Sequence, residues 1–296
     1  MTRNRGTERL FGLSAPVPSA WRTGRVRAAD AMLATYETGS DAPGAPAVLL
    51  MHGLGHWTEA AWGRLVPELD PALRYVAFDL PGFGASDKPQ AAFDLAYFRR
   101  VLDDVVAGLG LERFALVGHS LGGFLAADFA GAHAPRVTHL ALIAPAAFAR
   151  TPRHMIYALA GGLARPLFER RPSRRFVVRM LLRSVADPNA LEPQVVERAY
   201  ELSQEPSFRK AFAGVYAGSL HAFAHARALH AGFARYRGPV LCAWGAQDRY
   251  INVAALRDVI RIYPHAKTLV LKNSGHLPMV EEPEILAASL RDFLKT

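Results

Sequence analysis

Short apolar runs recur along this chain, each closed by Gly, Pro, Asn or Asp, and most are separated by a stretch of helical periodicity. No other sequence feature restricts the fold as strongly. A strand that runs parallel to its neighbour needs a crossover of about a dozen residues, and a helix supplies it. The pattern therefore predicts an α/β fold: a mostly parallel sheet with helices on both faces. Strands are expected at 46–51, 74–79, 114–117, 138–143, 239–244 and 267–272, after an antiparallel pair within 27–37. Helices are expected at about 59–68, 93–109, 120–133, 253–261 and 283–294.

The alternation stops after Ala144 and resumes at Pro239, with only helical periodicity and frequent Pro between. Residues 148–236 are accordingly expected to form an inserted helical cap, with 25–147 and 237–296 as the core and 1–24 as an N-terminal arm. The formal charge of +9 is placed unevenly. Residues 150–237 hold 15 Lys+Arg and 6 Asp+Glu, a difference of +9, so the rest of the chain is neutral in sum. No zinc-finger spacing or RNA-binding aromatic signature accompanies these charges, which argues against a nucleic-acid partner. The single cysteine, Cys242, sits in an apolar run and reads as a buried thiol. The N-terminus has Arg3, Arg5 and Arg9 but no apolar segment of signal-peptide type, and no stretch is long enough to span a bilayer. The expectation is a cytoplasmic protein.

Four strand ends carry the chemistry. Gly118-His119-Ser120-Leu121-Gly122 follows the run Phe114–Val117 and opens a helical segment. A serine held in strained backbone at the tip of a strand–helix turn needs neighbours without Cβ, and Gly118 and Gly122 meet that need. By chance a G-x-S-x-G match is expected on the order of 0.1 times in such a chain, so the context matters more than the motif. His52-Gly53-Leu54-Gly55 follows the strand ending at Met51 and suits an oxyanion hole, with one backbone N–H from Leu54 and a second from Leu121. His52 itself reads as structural. Asp248, in Trp244-Gly245-Ala246-Gln247-Asp248, and His276, in Asn273-Ser274-Gly275-His276, each follow a strand. Serine needs an imidazole to take its proton and a carboxylate to hold that imidazole, so the order Ser120, Asp248, His276 predicts nucleophile, orienting acid and general base.

With the segments HGLG, DLPGFGASDKP, GHSLGG, WGAQDRYIN and NSGHLPMVEEPE, the chain resembles the α/β-hydrolase superfamily, its serine-nucleophile esterase and lipase-like branch, over about 27–296. The resemblance implies that Asp79 to Ser86 form a structural loop near the site. Dehalogenases and epoxide hydrolases of that fold place Asp where Ser120 stands, which excludes them. Carbon–carbon bond hydrolases of the fold typically carry Asn before the serine and Trp after the histidine, where this chain has His119 and Leu277.

The expectation is a serine hydrolase that cleaves carboxylic esters through an acyl-enzyme, with no metal and no organic cofactor. Its small-molecule ester substrate is expected to bear an apolar acyl or alkyl group, because the cap is rich in long apolar residues such as Met155, Leu159, Phe176, Met180 and Leu181. The alternatives are a carbon–carbon or thioester hydrolase using the same triad, or a small-molecule receptor. Trp57, Phe83 and His119 are candidates for lining the substrate pocket. His221, His225 and His230 fit a cap helix better than a metal site. Arg175, Arg179 and Arg183 recur every fourth residue, with Phe176, Val177, Met180 and Leu181 on a neighbouring face, which suits peripheral contact with an anionic membrane surface.

Overall fold

The computed structural model describes residues 21–148, 169–224 and 226–295. Eight strands form one sheet: β1 (Arg22–Ala28), β2 (Ala31–Gly39), β3 (Ala47–Met51), β4 (Arg74–Phe78), β5 (Phe114–His119), β6 (Val137–Ile143), β7 (Val240–Gly245) and β8 (Lys267–Leu271). Their order is β1-β2-β4-β3-β5-β6-β7-β8. β2 pairs antiparallel with β1 and β4, and every later pairing is parallel. The chain reverses between β1 and β2 at Ala29, which takes a positive φ of 49°.

The central strands are apolar on both faces, so their sequences read as unbroken runs. Along β3, Leu49 and Met51 enter one core while Val48 and Leu50 enter the other. β5 splits the same way, Phe114 and Leu116 against Ala115 and Val117. The first core is completed by α2 (Leu95–Gly108) and α3 (Leu121–Ala132), through residues such as Phe98, Val101, Phe124 and Leu125. The second is completed by Trp62 of α1 (Thr58–Trp62) and by Leu286, Leu290 and Phe293 of the C-terminal helix (Pro283–Leu294). β8 is an edge strand, and it exposes Lys267 and Val270.

The helix expected at 59–68 is broken. α1 stops at Trp62, and a 3₁₀ turn at Val66–Glu68 follows. Gly63 and Pro67 are the reason, since Gly weakens a helix and Pro cannot donate to one. Between β6 and β7 the described residues form α4 (Arg174–Ser184), α5 (Pro193–Gln204), α6 (Pro206–Ala224) and α7 (Ala226–Phe233). After β7 come α8 (Leu256–Ile262), a short α9 (Pro278–Glu281) that the periodicity does not reveal, and α10, the C-terminal helix. Among the described residues no helix is long and apolar enough to cross a membrane.

Candidate active site

Ser120 stands between β5 and α3 with φ 52° and ψ −113°, in the left-handed region that costs a residue with a side chain of order 1–3 kcal/mol. The surrounding packing holds it there. A Cβ on Gly122 would lie 2.2 Å from the Met51 carbonyl oxygen, and one on Gly118 would lie 2.4 Å from that of Gly122. The Ser120 N–H donates to the Ile143 carbonyl at 3.0 Å, and its own carbonyl accepts from Phe124 and Ala146. β3, β5 and β6 thus meet at the serine.

The segment after β3 abuts it. A Cβ on Gly53 would come within 3.1 Å of Ser120 Cβ. Neither the Leu54 nor the Leu121 N–H has a hydrogen-bond partner among the described residues. Leu121 also opens α3, where the first N–H groups are free by construction and the helix dipole favours negative charge. Two unspent donors therefore lie on the segments that meet at Ser120.

His276 and Asp248 are joined: His276 Nδ1–H donates to Asp248 Oδ2 at 2.7 Å, and both side chains are buried. Asp248 is held from its other side by the N–H groups of Tyr250 and Ile251 on Oδ1, at 2.7 and 2.9 Å, and by Trp244 Nε1–H on Oδ2 at 3.2 Å. Because the carboxylate can only accept, Nδ1 carries a proton, and the neutral form of this imidazole has its lone pair on Nε2. The β7 turn that delivers Asp248 passes the loop that delivers His276 at Gly245, where a Cβ would lie 1.9 Å from the Gly275 carbonyl oxygen.

Three further histidines surround this pair, all neutral. His52 donates from Nδ1 to the Gly53 carbonyl and accepts from the Leu80 N–H at Nε2; burial lowers its pKa. His56 is pushed down to about 3 by burial and by His52 and His276. His119 lies well below the usual imidazole range, through burial first and His276 second, and its Nε2–H donates to the His276 carbonyl at 2.8 Å. It braces the loop from behind.

This corrects two expected pocket residues. His119 is wholly buried, so no substrate atom can reach it. Phe83 is wholly buried as well, edge-on to Phe208 and Phe212 of α6. Trp57 does border open space, a cavity of about 290 Å³ between α1, α5 and the His276 loop, together with His56, Leu181 and Leu277. Phe176 and Met180 face solvent instead of a pocket. Met155 and Leu159 of the expected apolar lining lie outside the described residues, as does His225. His230 spends Nε2 on the Ala147 carbonyl at 2.7 Å. Among the described residues no group of three or more His, Cys, Asp or Glu could hold a metal ion. Cys242 is buried, and burial pushes its thiol up, which removes it as a nucleophile.

Several supporting residues escape sequence reasoning. The Glu281 carboxylate accepts from the N–H groups of Gly275 at 2.6 Å and Ala186 at 2.5 Å, tying the His276 loop to the chain just after α4. Glu282 takes Ser274 Oγ at 2.6 Å. The His276 N–H reaches the Ser184 carbonyl at 2.7 Å. The only sequence signal was the acidic pair that follows the histidine by five residues. Tyr250 is also new, its ring centroid 5.5 Å from that of His276.

Asp79 organises the loop after β4. Its carboxylate accepts from Thr58 N–H at 2.7 Å and Tyr36 Oη–H at 2.9 Å, both buried, and from the part-buried Ala85 N–H at 2.8 Å. Asp79→Ala strands two buried donors, each worth about 1–3 kcal/mol when left unsatisfied, and frees the Ala85 N–H as well. A loss of about 3 kcal/mol or more is expected. At roughly 2–4 °C per kcal/mol, calorimetry should record a Tm lower by at least about 6 °C, and a Tm within about 1 °C of the parent would refute the role.

Residues 46–283 match the family model of the alpha/beta hydrolase fold. A 2-hydroxymuconate semialdehyde hydrolase of Pseudomonas sp. (strain CF600) is 27% identical over 254 residues, covering 83% of this chain and 86% of the relative. Among solved structures, a membrane phospholipase A described as a bacterial virulence factor is 27% identical with a TM-score of 0.73, over 94% of this chain and 86% of that one. A 2-hydroxy-6-oxo-6-phenylhexa-2,4-dienoate hydrolase of Rhodococcus sp. strain RHA1 shares the fold at 22% identity and a TM-score of 0.77, over 93% of this chain and 99% of that one. With four-fifths of its length matched to the family model and its sheet, serine turn and strand-end loops arranged as described, the chain belongs to the alpha/beta hydrolase fold family.

Proposed function

We propose that the protein is a serine hydrolase that cleaves carboxylic esters bearing an apolar acyl or alkyl group. The observation that carries this reading is the buried His276–Asp248 hydrogen bond at 2.7 Å, together with a serine at φ 52° on a strand–helix turn whose preceding residue, His119, bonds the His276 carbonyl. In the proposed cycle His276 Nε2 takes the Ser120 Oγ proton as Oγ attacks the ester carbonyl carbon. The carbonyl oxygen gains the negative charge, and the Leu54 and Leu121 N–H groups receive it. His276 then returns the proton to the departing alkoxide, leaving an acyl-serine and a free alcohol. A water molecule repeats the sequence on the acyl-serine, and the acid is released. Asp248 keeps its negative charge throughout and stabilises the imidazolium.

The 27% identity to a 2-hydroxymuconate semialdehyde hydrolase supports a second reading, cleavage of a carbon–carbon bond beside a carbonyl with the same residues. His119 and Leu277, in place of the Asn and Trp typical of such enzymes, weigh against it. One set of measurements separates the readings: labelling with a fluorophosphonate probe, then turnover of p-nitrophenyl esters of rising chain length and of 2-hydroxymuconate semialdehyde. Ester hydrolysis that prefers a longer acyl chain is the expected result. Turnover of the semialdehyde alone would establish the second reading, and labelling without turnover of any substrate would favour a receptor.

A further inference from the structure

We propose that the exposed face of α4, continued by Tyr250, is a docking surface for an anionic lipid bilayer. α4 buries one side against its neighbours, with Val178 fully and Val177 and Leu181 partly covered. Its other side carries Arg175, Arg179 and Arg183, all exposed, and among them Phe176 at 52% and Met180 at 38% exposure. Arg175 and Arg179 have no carboxylate partner among the described residues, whereas Arg174, turned toward α5, pairs with Glu197. A solvated helix face needs its arginines, but it gains nothing from a phenylalanine and a methionine set between them. Cationic heads beside long apolar side chains suit a headgroup layer above acyl chains.

Charge complementarity decides the occupant. The stretch containing α4, residues 150–237, accounts for the whole net charge of +9. A nucleic acid would satisfy the arginines but would leave Phe176 and Met180 in water. The patch also runs into the candidate site. Tyr250, 40% exposed, donates its hydroxyl to the Met180 carbonyl at 2.7 Å, lies under the Arg183 guanidinium at 5.8 Å, and places its ring 5.5 Å from that of His276. A bilayer seated on this face would touch the same tyrosine that borders His276.

The test uses the full chain carrying Ser120→Ala, so that lipid hydrolysis cannot confuse binding and the outcome stands apart from the proposed reaction. Sedimentation is measured with phosphatidylcholine vesicles and with mixed phosphatidylcholine–phosphatidylserine vesicles. Binding to the mixed vesicles alone is expected at 0.1 M salt, where the screening length is about 10 Å, and release at 1 M, where it is about 3 Å. Each arginine near such a surface contributes about fivefold in affinity, so Arg175→Gln with Arg179→Gln should weaken binding roughly 25-fold. Phe176→Ser with Met180→Ser should weaken it by about tenfold or more. Both double variants, rebuilt with Ser120 restored, should hydrolyse a soluble short-chain ester within about twofold of the parent. Absence of binding, equal binding to neutral vesicles, or parental binding by either double variant would each overturn the proposal. A DNA duplex that displaces the vesicles from the parent, with Phe176→Ser and Met180→Ser having no effect, would overturn it in favour of a general polyanion patch.

Discussion

Ser120→Ala is expected to lower kcat for ester hydrolysis by roughly a million-fold while leaving the thermal transition near that of the parent, and His276→Ala should do nearly the same. The size follows from the geometry. In the proposed cycle Oγ is the atom that receives the acyl group and the His276 imidazole is the group that takes its proton, while His52 and His119 spend Nε2 on the Leu80 N–H and the His276 carbonyl. The two losses should not add. The double variant is expected to match either single one, since the residues act as a unit. Ser120→Ala keeps the Cβ at φ 52° and every hydrogen bond that the backbone supplies, so the turn should hold as in the parent. Fluorophosphonate labelling and steady-state kinetics check this together. Retention of more than a few per cent of activity in either single variant would remove that residue from the mechanism.

Gly245→Ala is the second large effect expected, and it involves no chemically active group. The added Cβ would sit 1.9 Å from the Gly275 carbonyl oxygen and 2.5 Å from that of Ser274, both backbone atoms that cannot rotate away. The β7 turn and the His276 loop must therefore separate by something on the order of 1 Å. Overpacking of this kind costs about 1–3 kcal/mol, and a 1 Å error in a catalytic contact costs about 100-fold in rate. The variant should thus fold with a lower Tm and lose about 100-fold in kcat, with KM little changed. Gly232→Ala is the control, because a Cβ there meets nothing within 4 Å and the residue lies in α7. It should be neutral or slightly stabilising, by up to about 1 kcal/mol. Equal activity of Gly245→Ala and the parent would show that the close approach does not position the histidine.

Much of the molecule could be read from local sequence because the relevant forces are local. An apolar run of five or six residues bounded by Gly, Pro or Asp suits a strand buried on both faces of a parallel sheet, so the strands from Ala47–Met51 to Val240–Gly245 were legible within one or two residues, whereas the edge strand Lys267–Leu271 was marked by its position before the Asn273–His276 turn. The turns after these strands are equally local. Gly118, Ser120 and Gly122 announce a strained bend through the steric demands of a few adjacent residues, and Asp248 and His276 follow strands whose ends were visible. Other features depend on where distant segments come to rest. Nothing near residue 83 or 119 shows that α6 covers Phe83 or that the His276 loop seals His119, since both contacts join parts of the chain more than a hundred residues apart. Glu281 reads as a surface carboxylate until Ala186 and Gly275 bring their N–H groups to it. The periodicity of α4 separates its faces but does not say which one the core will cover. Packing put Val178 inside and left Phe176 and Met180 in water, because a helix's own repeat sets the angle between side chains while only its neighbours decide which angle is buried.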